Sequence, residues 1–519
     1  MRTILCALLI TAILFLNMPA VYGWTGNNGF EAGISSGSVY DTKNITENYS
    51  EIVFISGKPV LFSGSLIVTK KSDEQKITTT YSYRNLKNVS EDAAITRGNV
   101  VVETYISKKD NGQITESSKL VNRPTETVKI DDTTYTLTGY SFSRAGVTDS
   151  KPCVNYCSGV FSGVKTYTVR AGTTGIAGAS RTDAKTVSVE FTGRFTGHDQ
   201  YWGMCEAVKT DYLIKCSSKT NDEDDLWGGA ATVSTTSTMA KDLKYIPNEP
   251  YSISFDGSYI QTKSNSGVLE YKCSLPEFNA KGIATDYKIE YSDSIRLEMP
   301  LDYEGLPTYN LQQIRGHWSE KDVRALYSLE ILDEDSTQFQ PEKYMNRGEF
   351  IRCIVKAAPE VPIDSALLTK MTKAAGRTGK QQQEEAIFYD VLPESRYYEA
   401  VRNAYNRKII SGVGDNMFAP ESQITVADAI TIFIRAIGLD KIAPNPIAVP
   451  SFRDNDEIPA WARNAVYVAR NIGLVNGDEK GYIKPNSPLT NSRAAAMLNR
   501  FVNYLRNDIS RDYERIIEY

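Results

Sequence analysis

Histidine is nearly absent: His198 and His317 are the only two in 519 residues. A Ser-His-Asp or Cys-His centre in the first three hundred residues would have to be built on His198, in GHDQYWGMC. No G-x-S-x-G elbow, papain-like cysteine signature or H-E-x-x-H helix accompanies it. His198 is therefore expected as a hydrogen-bonded histidine near a strand end, and the chain as a non-enzyme. Excess charge is lacking too. Lys and Arg total 58 against 63 Asp and Glu, and a net charge of -5 gives no footprint for nucleic acid. Long apolar runs are missing except at the N-terminus, so no span is expected in the body of the chain.

That one run, ILCALLITAILFL after Met1-Arg2-Thr3, is short for a membrane helix, and Val21-Tyr22-Gly23 offers small residues at a cleavage site. Residues 1–23 read as a signal peptide, with an uncleaved anchor as the alternative, and the mature chain as exported. Six cysteines remain, and export permits disulfides. Cys205 and Cys216 bracket EAVKTDYLIK, which suggests a bridged hairpin turning near Lys209–Asp211. Cys153 and Cys157, in CVNYC, could close a small loop or pair elsewhere. A four-cysteine zinc site is the sharper alternative, but no tandem short-spaced pairs support it. Cys353, in FIRCIVKA, is expected to pack as a small buried hydrophobe.

What is abundant is tyrosine, 31 in all, with many Thr and Ser in the first half, a composition that favours strands. Ile77, Thr79, Tyr81 and Tyr83 alternate with polar residues, as do Val187, Val189 and Phe191. The phase changes between Tyr135/Leu137 and Tyr140/Phe142 predict a bulge at Gly139. Asp256-Gly257, between YSISF and SYIQT, predicts a tight hairpin. Residues 24–305 should thus be antiparallel and all-β, in one or two domains, with Ala171 to Ser180 as a glycine-rich loop. The acidic run Asn221 to Asp225 reads as a solvated turn. Structural calcium is the alternative there, although EF-hand spacing is absent, and no other cofactor is expected. A glycosidase needs only two carboxylates, which the many Asp and Glu leave open.

After Leu306-Pro307 the period changes to that of amphipathic helices. Three helical segments recur, VRALYSLEIL, YEAVRNAYNRKII and WARNAVYVARNIGLV. Each is followed by a polar loop, a turn (FQP, FAP or IKP) and a second helix (RGEFIRCIVKA, VADAITIFIRAIGL or SRAAAMLNRFVNYL). The turn prolines, Pro341, Pro420 and Pro485, stand 79 and 65 residues apart. The longer interval holds an insert rich in Lys, Gln and Ala. The repeats divide as 309–360, 385–440 and 448–505, with the insert at 361–384 and a charged tail at 506–519. Phe339, Phe418 and Ile483 should plug the repeat interiors, while the prolines orient the following helices.

These motifs resemble three consecutive S-layer homology modules. Repeat one carries GHWSEKDVRAL, FQP and MNRGEF; repeat two FYDV, SGVGDNMFAP and ITVADA; repeat three FRDN, IPAWARNAV, NGDEKGYIKP and LTNSRA. The resemblance implies a multidomain chain in which the all-β region precedes an all-α pseudo-trimer. It also implies non-covalent attachment at the cell surface to a secondary wall polysaccharide, commonly pyruvylated, with self-association in a surface layer as a further partner relation. An Arg at a helix start offers a planar fork to a ketal carboxylate, and a Trp face can cover a sugar ring. On the family pattern Arg347 matches the T-R-A-E arginine, Trp318 and Trp461 the helix-start aromatic (a core tryptophan being the alternative for both), and Gly412, Gly414 and Asp415 the loop of repeat two. Val426 and Asn491 replace the arginine in the other repeats, and Arg493 stands two residues late. The β-rich region is read as structural or adhesive, with a wall-tethered carbohydrate-active enzyme as the alternative.

Overall fold

The computed structural model describes residues 33–35, 47–72, 76–88, 90, 92–109, 113–171, 185–217, 227–247, 257–279, 283–298, 302–360, 386–441 and 452–509. The segment 1–23 expected to be a signal peptide, nearly all of the glycine-rich loop, the acidic run at 221–225, the insert and the end of the tail lie outside these residues.

Alternation of β-branched and aromatic residues with polar ones builds one antiparallel sheet from the sixteen described strands between Ile34 and Gly305. Two long strands, Lys76–Asn88 and Thr133–Ser150, are bridged by two pairs of shorter ones. Ala93–Arg97 and Glu126–Ile130 join them over one half, and Val100–Lys108 and Gln113–Leu120 over the other. A meander of long strands follows: Val154–Ala171, Thr186–Gln200, Gly203–Ser217, Trp227–Ile246, Ser258–Phe278 and Ala284–Glu298. The sheet rolls until its first strand, Ile34–Ser35, lies against Gly267, where an added Cβ would sit 3.0 Å from the Ser35 carbonyl. The predicted alternations hold, since Ile77, Thr79, Tyr81, Val187 and Phe191 are all buried. The register slips opposite Thr166/Tyr167, between Gly139 and Leu137, as the phase change foretold.

Two local expectations fail. The segment between Cys205 and Cys216 does not turn, because Gly203–Ser217 is one continuous strand paired along its length on both sides. Eleven residues at about 3.3 Å each separate the two cysteines far beyond the roughly 7 Å that a disulfide can span. The Lys-Thr-Asp triplet lacks the glycine or asparagine a tight turn needs. Cys153 and Cys157 are likewise free, and all six described cysteines are buried thiols. The second failure is the hairpin at Asp256-Gly257. SYIQT belongs to Ser258–Phe278, where it pairs with the end of Trp227–Ile246 on one side and with Asp302–Gly305 on the other, so neither of its edges is left for a two-residue hairpin. YSISF and Asp256 lie outside the described residues.

Six helices of eight or more residues follow among the described residues. They are α1 (Glu320–Ser328), α2 (Arg347–Ala357), α3 (Tyr398–Asn406), α4 (Val426–Ala436), α5 (Arg463–Asn471) and α6 (Asn491–Asn503). The second helices of the repeats, α2, α4 and α6, begin at side-chain caps. Asn346, Thr425 and Thr490 each accept the N–H three residues on, satisfying a donor the helix cannot. Their apolar faces meet at Phe350, Phe433 and Phe501, all fully buried, with ring centroids 5.6 and 4.6 Å apart. Phe339, Phe418 and Ile483 are buried as expected, and so is Cys353.

The repeats exchange backbone hydrogen bonds in a cycle. Met345 N–H donates to Leu489 O, Leu489 N–H to Ile424 O, and Ile424 N–H to Met345 O, at 2.9 to 3.1 Å. Two residues on, a second cycle runs the opposite way, Arg347 N–H reaching Ser422 O, Val426 N–H Ser487 O and Asn491 N–H Lys343 O. Helix packing follows the same order, α1 lying on α6, α3 on α2 and α5 on α4. At the far ends of these helices, donors from the sheet reach the last carbonyls. Trp202 Nε1 donates to Ala357 O at 2.8 Å, Cys153 N to Ala436 O at 3.1 Å, and Gln200 Nε2 to Leu505 O. No helix among the described residues is long and apolar enough to cross a membrane.

Candidate functional site

The residues that could touch a ligand stand where one repeat's second helix begins against the next repeat's first helix. Position five before the buried Val323, Val401 and Val466 holds Trp318, Arg396 and Trp461 respectively. The third residue of each second helix is Glu349, Asp428 or Arg493. Both tryptophans are open to solvent, 60% and 55% exposed. A core role for either is thereby removed.

Arg347 is at the first turn of α2, as expected, but it is not an exposed fork. It is 9% exposed, its Nη1 lies 3.0 Å from Asp428 Oδ1, and its Nε donates to Phe418 O. The guanidinium also lies over the Phe418 ring. Asp428 is itself the capping-box acid of α4, bound to Thr425, so Arg347 ties repeat one to repeat two. No motif could have signalled this, because the partner lies 81 residues away.

At the α2–α3 junction the helix-start residue is cationic. Arg396 pairs with Glu334 and, at 3.4 Å, with Glu349, and it lies over Tyr397, whose hydroxyl accepts from Asn346 Nδ2. Burial and the neighbouring Glu334 raise the Glu349 carboxyl. Against the burial that would lift it too, Arg396 holds Glu334 low. Gly348 admits Tyr397 here, since an added Cβ would meet the ring at 2.7 Å. This junction is filled by its own side chains. The α6–α1 junction differs, because Arg493 replaces the acid and its side chain has no ion pair among the described residues. Trp318 stands on α1's side of that junction, with His317 beside it, 5.5 Å between rings. His317 Nε2 lies 3.4 Å from Glu342 of the following turn.

Gly412, Gly414 and Asp415 form the loop before Phe418, with Gly414 bridged to Met417 and Asp415 in the left-handed region at φ 48°. They shape a turn within repeat two and do not converge with Arg347, Trp318 and Trp461 on one pocket. Motif reading missed Asp390 and Asp454, in FYDV and FRDN. Asp390 accepts from Phe418 and Ala419 N–H, and Asp454 from Ile483 and Lys484 N–H. Ala419 and Lys484 have positive φ, which turns these N–H groups inward, so each acid holds an aromatic-x-Pro turn in place. Their recurrence just after an aromatic was the available signal.

The three repeats thus share one plan, a capped second helix packed against the first helix of the next repeat. The profile of the S-layer homology domain matches residues 314–351, 387–430 and 451–490, so the C-terminal part carries three such domains. An exoglucanase of Acetivibrio thermocellus is 28% identical over 193 residues, 37% of this chain and 16% of that protein. A surface-layer protein of Lysinibacillus sphaericus is 28% identical over 118 residues, 22% of this chain and 10% of that one. A cell surface protein of Thermoanaerobacter kivui is 32% identical over 120 residues, 22% and 15% respectively. The chain therefore spans less than a fifth of the length of these relatives. With these domains and relatives, the chain is a protein of the cell surface.

Proposed function

We propose that the three domains act as one pseudo-trimeric clamp that holds the protein non-covalently to an acidic, pyruvylated wall polysaccharide. The observation that carries this reading is the pair of solvent-exposed tryptophans at repeat junctions. The cyclic hydrogen bonding of Met345, Ile424 and Leu489 supports the pseudo-trimer. An indole face covers a sugar ring at low entropic cost, and a guanidinium without a partner is the natural receiver of a ketal carboxylate. Trp318 and Arg493 combine both at one junction, which makes it the leading groove. The junction of α4 and α5 offers Trp461 with Asp428 already committed to Arg347, so it contributes stacking and little charge recognition. Arg347 acts by holding repeats one and two together. The β-rich region serves a structural or adhesive role.

Purified wall sacculi should pellet the full chain, and removal of pyruvate ketals should abolish this. Trp318→Ala and Arg493→Gln should each weaken pelleting roughly tenfold, with the thermal midpoint unchanged. Unaltered binding by both variants would place the ligand elsewhere. Equal binding to treated walls would remove carboxylate recognition.

A second reading, a wall-tethered carbohydrate-active enzyme, is favoured by relatives named exoglucanase and amylopullulanase. The cavity of about 590 Å³ between Tyr245, Tyr259, Tyr309 and Arg315 presents one carboxylate, Glu320, which is bound to Arg324. Two are needed for glycoside hydrolysis. Release of reducing sugar from wall or plant polysaccharides by the purified chain would favour this second reading.

A further inference from the structure

The sheet ends in an open edge. Ala284–Glu298 pairs with Ser258–Phe278 on one side, and among the described residues no strand pairs its other side. The strand has fifteen residues, mostly exposed, with no proline or glycine to interrupt it. Ser294 N–H donates to the Asp293 carboxylate at 2.8 Å instead of joining the ladder, so the even-numbered residues turn their backbone groups outward. Such an edge is a template for another strand.

We propose that a second copy of this chain adds antiparallel to this edge, in the register that sets Glu290 opposite Arg296. The charge order selects both partner and register. A two-fold axis at Asp293 places Glu290 against Arg296 and Lys288 against Glu298, each pair occurring twice on one face. Shifting the axis by one residue, to Ser292, would instead set Lys288 against Arg296. On the opposite face the same register joins Tyr291 to Ile295 and Ile289 to Leu297. Tyr291, Ile295 and Leu297 already pack against the sheet's own core, so the second copy continues an existing apolar surface. Among directly opposite residues the one like-charge pair is Asp293 with its symmetry mate, at the axis. This association does not depend on wall binding.

Sedimentation velocity of the full chain should show a concentration-dependent dimer. Arg296→Glu, which turns two attractive pairs repulsive, should weaken it about tenfold or more. The swap Glu290→Arg with Arg296→Glu restores opposite charges and should recover the dimer. Asp293→Cys should cross-link under mild oxidation, because residues facing across the axis lie about 4.5 Å apart at Cα. Ser294→Cys, opposite Ser292 in this register, should not. A chain that stays monomeric at every concentration, a charge swap that fails to rescue, or equal cross-linking of both cysteine variants would each overturn the proposal. Wall pelleting of the same variants should be unchanged, which separates this result from failure of the clamp.

Discussion

Replacing Arg97 by Ala should cost the β-rich region about 3–5 kcal/mol, the typical loss when one partner of a buried ion pair is removed. Arg97 stands between two carboxylates inside the rolled sheet. Its Nη1 and Nη2 reach the two Glu51 oxygens at 2.8 and 2.6 Å, and its Nε binds Glu126. Tyr49 donates to Glu51 and Tyr167 to Glu126, while Lys165 Nζ lies 3.6 Å from Glu126. All three principal side chains are at most 7% exposed. Removing the guanidinium leaves two buried carboxylates facing one lysine, and water cannot compensate. Urea unfolding followed by near-ultraviolet circular dichroism would report the shift. A triple variant, Glu51→Gln with Arg97→Met and Glu126→Gln, should recover part of the loss, since the desolvation of charge is then avoided.

The same cluster sets an acid limit. Burial alone would raise the Glu126 carboxyl, but Arg97, Lys165 and the Tyr167 hydroxyl hold it at about 2. An unfolded glutamate titrates near 4.3. A depressed native pKa gives stability that is fully present above the unfolded value and is lost as pH falls through the folded one. Stability should therefore decline between about pH 4.5 and 2. In Glu126→Gln that portion of the decline should be absent. An identical acid profile in the variant would remove Glu126 from the account.

How much of this was legible in the sequence depended on whether a partner lay within a few residues. Strand alternation, the Gly139 bulge and the three repeats are local patterns, and each appears in the fold. The plugs Phe339, Phe418 and Ile483 were readable from their fixed distance to the following proline. Arg347 was found by motif yet placed in the wrong environment, because its burial depends on Asp428 in the next repeat. The two tryptophans posed the converse problem. Helical spacing cannot tell a core indole from one at a junction, since α1 packs on α6 rather than on the second helix of its own repeat. The Cys205–Cys216 hairpin fails because the interval between two cysteines carries no turn signal of its own, while strand pairing on both sides runs straight through it. The sheet-to-helix joint left no sequence signal at all, being made by single donors and acceptors scattered from Pro152 to Lys241.

That joint is where the second large effect is expected. Trp202 is 4% exposed, packs edge-on against Tyr201 at 5.1 Å, and donates to the last carbonyl of α2. Cys153 serves α4 twice, through N–H and Sγ to Ala436 O, and the Tyr156 hydroxyl adds a bond to Ile437 O. Arg407 clamps Pro152 O together with Ala358 O, and Arg506 binds Lys241 O. Cys153, Val154 and Trp202 belong to the same apolar core as the helices, so the sheet end closes that core. Trp202→Ala should therefore cost about 3–5 kcal/mol. Trp202→Phe, which keeps most apolar area but leaves Ala357 O without its donor, should cost about 1–3 kcal/mol. Hydrogen exchange would locate the loss. Amides in the last turns of α2 and α4 should exchange faster in both variants, while those of the strand Ala93–Arg97, at the opposite end of the sheet from the joint, should not. If the helical region were an independent unit on a tether, its exchange and its thermal midpoint would be indifferent to Trp202. Because its three central helices end on donors that the sheet provides, the proposed clamp, once held at the wall, would fix the direction in which the sheet points.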